Sequence, residues 1–141
     1  MRVGYLAVLA LLAMLLVGCD PLSGVYVSLR VNGSDYAPTD TLVGTFAFVN
    51  YGPKRIHHEF SSGHQVDLRL YDWRHIQRLS SGYWSSLAVT YLELEPHSSR
   101  VDTFTFELST PECQLEPGRY RLVGSMASHE GIHDGRWIEV R

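Results

Sequence analysis

Val66-Asp67-Leu68-Arg69-Leu70-Tyr71 alternates from residue to residue. Successive side chains on a strand point to opposite faces. Val66, Leu68 and Leu70 therefore share one face, and Asp67, Arg69 and Tyr71 the other. A six-residue run of this kind reads as a half-buried strand. The same period extends to both sides of it. Val25, Val27, Leu29 and Val31 alternate with Tyr26, Ser28, Arg30 and Asn32. Leu42, Phe46 and Phe48 share one parity, and Val43, Thr45 and Ala47 the other. Phe104, Phe106 and Leu108 alternate with Thr103, Thr105 and Glu107. Tyr120 and Leu122 stand opposite Arg119 and Arg121; Ile138 and Val140 stand opposite Trp137, Glu139 and Arg141.

Turn formers separate these runs: Asn32-Gly33-Ser34-Asp35, Asn50-Tyr51-Gly52-Pro53, Ser61-Ser62-Gly63, Ser80-Ser81-Gly82, Glu95-Pro96-His97-Ser98 and Glu116-Pro117-Gly118. Asn32-Gly33-Ser34 reads as a tight hairpin. Between Tyr83 and Leu94 the parity slips, since Leu87, Val89 and Tyr91 differ from Leu92 and Leu94. A bulge or a short helical turn would account for that. No window carries a helical stripe. The chain is expected to be all-β, an antiparallel immunoglobulin-like β-sandwich of about seven to eight strands over residues 25–141. The Cys…Trp…Cys signature of antibody domains is absent.

The N-terminus has a different character. Arg2 precedes an uncharged apolar run from Tyr5 to Val17, followed by Gly18, Cys19 and Asp20-Pro21. A basic end, an apolar middle and a small-residue site define a secretory signal. As a helix the run would be about 20 Å long, short of the roughly 30 Å hydrocarbon core. Leu16-Val17-Gly18-Cys19 resembles a bacterial lipobox, the lipoprotein processing site. The resemblance implies cleavage of residues 1–18, acylation of Cys19, and a lipidated tether over residues 19–24. Asp20 resembles an inner-membrane retention signal, which implies the periplasmic face of that membrane. Two or three acyl chains would hold the protein firmly where one would not.

The 141 residues carry 12 basic and 15 acidic side chains, and Arg2 leaves with the leader. This acidic balance, with no basic run longer than Lys54-Arg55, argues against a nucleic-acid partner. Of two cysteines, Cys19 would be consumed as a thioether. Cys113 then has no disulfide partner, and the domain must stand on its core. Glu112 and Glu116 nearby disfavour a reactive thiolate at Cys113.

His129-Glu130-Gly131-Ile132-His133 matches the H-E-x-x-H string of zinc proteases. That chemistry needs a helix, so that both histidines meet one metal. Gly131 and the following Asp134-Gly135 leave no room for one, and the string reads as a loop between two strands. His57-His58 sits on a strand and points two ways, which precludes chelation by the pair. No Gly-x-Ser-x-Gly elbow and no phosphate-cradling loop is present. The expectation is a binding protein, with no catalytic residues, metal or cofactor.

Several stretches in order resemble the intracellular proteinase inhibitor (BsuPI-like) domain. They are Val49-Asn50-Tyr51-Gly52, the turn from Phe60 through Gly63 into Asp67, Leu70-Tyr71-Asp72, and Ser80-Ser81-Gly82 with Trp84 following. Leu92-Glu93-Leu94-Glu95-Pro96 and the run from Glu116 to Gly124 complete the series. The likeness spans residues 40–126. His97, Trp73-Arg74 and Gln77 depart from the family's pattern. The resemblance implies a small immunoglobulin-like sandwich and a serine proteinase as partner. Binding segments are expected on exposed loops. Arg74, Arg78, Leu79, Ser80, Ser81 and Gly82 form the candidate protein-binding loop. A non-inhibitory structural or assembly module of an envelope complex is the alternative.

Overall fold

The alternating runs are all strands. The computed structural model describes residues 22–81, 88–110 and 114–141. The expected leader, Cys19, Gly82, Trp84 and Cys113 lie outside the described residues. Within them are no helix and ten strand segments: β1 (Val25–Val31), β2 (Asp35–Tyr36), β3 (Thr41–Asn50), β4 (Ile56–Phe60), β5 (Val66–Tyr71), β6 (Gln77–Ser81), β7 (Thr90–Leu94), β8 (Ser99–Glu107), β9 (Gly118–Met126) and β10 (His129–Val140). One sheet has the order β1-β3-β8 and a second the order β2-β10-β9-β5-β6. β4 and β7 make a separate two-stranded ribbon. All pairs are antiparallel except the short parallel pair of β2 with β10.

The two large sheets form the layers of a sandwich. Leu29, Leu42, Phe46 and Phe48 of the first share one buried cluster with Leu70, Leu122, Met126 and Ile138 of the second. Each such side chain contributes roughly 1.5–3 kcal/mol by leaving water. The layers approach closely at Gly124 on β9. A Cβ there would lie 2.7 Å from the Phe46 ring, so only glycine fits beneath it.

The registers define two ends. At one, Val25 pairs with Asn50, Val49 with Ser99, and Ile56 with Leu94. At the other, Val31 pairs with Gly44, and Val140 with both Tyr36 and Gly118. Tyr71 pairs with Arg121 near this second end, so the β5–β6 turn belongs to it. β9 runs for nine residues, and at about 3.3 Å per residue it separates the ends by roughly 30 Å.

Four expectations need correcting. Asn32-Gly33-Ser34 does not close a hairpin; it carries the chain from β1 into the other sheet, where the Glu139 amide donates to Ser34 O at 2.7 Å. Gln77–Ser81 is a strand rather than loop, held by backbone pairing to β5. His129–His133 lies on β10, with a register shift between the two histidines. Leu22, placed in the expected tether, is buried in the core cluster, and its carbonyl accepts the Val25 amide at 3.0 Å.

The first end is closed by Asn50, whose side chain has no exposed surface. Its Nδ2 donates to the carbonyls of Lys54, Leu94 and Glu95 at 2.8, 3.3 and 3.1 Å. Its Oδ1 accepts the Gly52 amide at 2.9 Å, and its own amide donates to Ser98 O. One carboxamide thus joins β3, the following turn and the β4–β7 ribbon. Truncation would leave buried carbonyls without donors, each costing about 1–3 kcal/mol. Asn50→Ala is predicted to lower stability by about 3 kcal/mol in urea unfolding, whereas exposed Val101→Ala changes it little.

Candidate functional site

Asp72 follows β5 and organises the turn that leads into β6. Its amide donates to Ile76 O and its carbonyl accepts the His75 amide, both at 3.0 Å. The side chain repeats the closure. Oδ1 accepts the Arg74 amide at 2.9 Å and the Ile76 amide at 3.0 Å. Oδ2 accepts Nε and Nη2 of Arg78 at 3.0 and 2.8 Å, and Nη2 of Arg74 at 3.3 Å. His75 takes a positive φ of 62°, a conformation that a non-glycine residue holds only when its surroundings enforce it. The Asp72 bonds supply that enforcement.

Asp72 itself is buried. Burial alone would push its carboxyl up. The Ile76 amide, the Arg78 guanidinium and the Arg74 amide outweigh that, and hold it down at about 2. Trp73 and Ile76 are left outward with Arg74 and His75 between them. Trp73 is 71% exposed and Ile76 48%. A cleft of about 250 Å³ opens beside Trp73, between Asp72–Arg78 and the segment from Gln114 to Tyr120. Arg74, Arg78 and Arg119 line it together with Asp72 and Glu116.

The candidate loop is therefore distributed differently from the expectation. Arg74 is in the turn. Arg78 is the second residue of the edge strand β6 and is bound to Asp72. Leu79, Ser80 and Ser81 continue β6, paired with Leu70, Arg69 and Leu68. Gly82 lies outside the described residues. The role of Asp72 was missed by sequence reasoning, although an aspartate followed by arginines two and six residues on was a visible signal.

The histidines are scattered over other contacts. His57 stacks on Tyr91 and its Nδ1 lies 3.0 Å from Glu93. His58 points the other way and meets the His129 ring edge-on at 4.7 Å. Burial, then the neighbouring His129, pushes the His58 pKa down. Glu130, the would-be general base of the protease string, pairs with Arg69 at 2.7 Å. Among the described residues no group of three metal-ligating side chains converges.

The profile of the intracellular proteinase inhibitor family (BsuPI) matches residues 29–131. No curated protein matches the sequence. Solved structures share the fold at low identity. The Pseudomonas fluorescens alkylpurine DNA glycosylase AlkC aligns with 84% of this chain and 30% of its own, at 12% identity and a TM-score of 0.56. The Erythrobacter marinus β-glucosidase EmGH1 aligns with 83% of this chain and 15% of its own, at 13% identity and a TM-score of 0.54. At such identities the likeness is one of fold alone, and this chain corresponds to a small part of each protein.

The Asp72 brace predicts a definite pH response. A carboxyl depressed from 3.8 to about 2 contributes stability above its ordinary value, and that contribution is lost as pH falls through about 2. Amide exchange at Ile76 is predicted to speed up, relative to the β9 amides, between pH 4 and pH 2. Asp72→Asn is predicted to exchange faster at neutral pH and to show no such step.

Proposed function

We propose that this chain, which belongs to the BsuPI intracellular proteinase inhibitor family, is a lipid-anchored binding module that offers the Asp72–Ile76 turn to a proteinase. The observation that carries this reading is the braced turn with Trp73 and Ile76 facing outward. Loops that are already ordered lose little entropy on docking. Tryptophan at the centre of an interface is the residue type that most often dominates its energetics. Arg78 stood beside Leu79 in the expected binding loop. Its hydrogen bonds to Asp72 give it a supporting role, and contact passes to Trp73, Arg74 and Ile76.

The anchor is the second part of the proposal. Acylated Cys19 would hold the domain on the outer side of a bacterial inner membrane. The ends described above make the two parts compatible. The chain enters β1 at the Asn50 end, and the turn lies near the opposite end. The site would therefore face away from the membrane, open to soluble partners. The module inhibits by occupation and contributes no chemistry of its own.

Two experiments test these parts separately. Purified full-length protein in detergent is titrated against subtilisin-like and trypsin-like proteinases. Inhibition at micromolar protein is expected, and Trp73→Ala should weaken it about tenfold, the equivalent of about 1.4 kcal/mol. Digestion of the domain without inhibition would contradict the proteinase reading and favour an assembly module. For the anchor, Cys19→Ala should abolish palmitate labelling; a mutant that still labels would contradict it.

A further inference from the structure

Tyr26 on β1 and Tyr51 after β3 stack face to face on the surface. Their ring centroids are 4.3 Å apart and the planes 9° from parallel. Tyr51 is 62% exposed and Tyr26 37%. A soluble surface has little reason to display two stacked aromatic rings. Their position supplies one. The Tyr51 amide donates to Gly24 O at 2.8 Å, and Gly52 packs on Gly24 so closely that a Cβ on Gly24 would lie 3.1 Å from its nitrogen. The pair thus sits where the chain enters the domain.

We propose that this tyrosine pair is a lipid-contact surface that seats the domain end-on upon the bilayer. The inference rests on the proposed acylation of Cys19. Leu22 is buried in the core, so the free tether is shorter than the sequence implies. From Cys19 to Leu22 the backbone reaches at most about 11 Å. An acylated Cys19 would be drawn to the boundary of the hydrocarbon. The headgroup layer is about 5–8 Å deep on each side. The Gly24–Tyr26 end then stays within a few ångströms of the headgroup surface, and the rings decide whether it settles into it. Tyrosine is the side chain suited to that depth, with an apolar ring and a polar tip.

Charge plays a minor part. Arg55 on the same turn is paired with Glu93 and Glu95 at 3.2 and 3.1 Å, and exposed Lys54 beside it balances the second carboxylate, which leaves the rim close to neutral. The occupant is therefore a zwitterionic lipid surface, and the contact should persist at high salt. The consequence is orientational. With Tyr26 and Tyr51 in the headgroups, the sandwich stands on its Asn50 end, and the Trp73 turn is held some 30 Å out.

The test uses full-length protein carrying Cys113→Ser, reconstituted in phosphatidylcholine vesicles that contain headgroup spin-labelled lipid. A single environment-sensitive fluorophore is attached at Lys54→Cys, beside the tyrosines, or at Ile76→Cys, in the far turn. Strong quenching is expected at position 54 and none at position 76, at low and high salt alike. Tyr26→Ser with Tyr51→Ser should bring position 54 down towards the level at 76 while the protein still floats with the vesicles. The paired Tyr→Phe variant keeps the rings and should retain the quenching. Protein that floats but is quenched no more at 54 than at 76 would overturn the inference and leave the anchor standing. Protein that fails to float would overturn the anchor, and this inference with it.

Discussion

The buried carboxamide of Asn50 is the constraint on which the rest of the arrangement depends. The β4–β7 ribbon belongs to neither large sheet. Its backbone ends would meet β3 as unsatisfied carbonyls without a donor set at that point. Asn50 supplies the donors, and it accepts the Gly52 amide in return. That bond shapes the turn that brings Tyr51 onto Gly24. The entry of the chain, the seat of the ribbon and the closing of the core at this end follow from one side chain. Buried amides of this kind are costly when half-satisfied and rigidifying when complete. Among the described residues every buried side-chain nitrogen and oxygen has a partner.

Two aspartates do comparable work elsewhere. Asp134 accepts the Leu29 amide at 2.9 Å, tying β1 of the first layer to β10 of the second. Asp72 closes the turn at the far end. The apolar layers supply the bulk of the stability, and these three polar groups decide where the edges and turns sit. That division suits a binding module. A hydrophobic core tolerates exchange of similar side chains, whereas the geometry of the presented turn hangs on one carboxylate.

How far the sequence speaks for the structure follows from the same division. β1, β3, β5 and β9 were legible because one face of each is buried, and burial imposes a two-residue period; β8 and β10 show it where Phe106, Ile138 and Val140 reach the core. Buried Leu42, Phe46 and Phe48 against exposed Val43 show it plainly. β6 was not legible, because Gln77-Arg78-Leu79-Ser80-Ser81 carries no alternation; it is an edge strand held by backbone pairing, and polar residues suit an edge. β2 is two residues long and owes its form to β10 alongside. Leu22 was read as tether because one leucine has no period to betray it. The H-E-x-x-H string was correctly denied a helix, but the bulged strand that holds it depends on pairing with β9. The long-range bonds of Asn50, Asp72 and Asp134 have no local pattern beyond the residue type itself.

The two ends of the sandwich are proposed to meet different partners, lipid at Tyr51 and protein at Trp73. Photo-crosslinking in intact cells tests this most directly, with a benzoylphenylalanine placed at position 51 or position 73 of the full-length chain. Lipid adducts are expected from position 51, and from position 73 a discrete protein adduct that Asp72→Asn removes. Protein adducts at both positions alike, or lipid adducts at position 73, would contradict this.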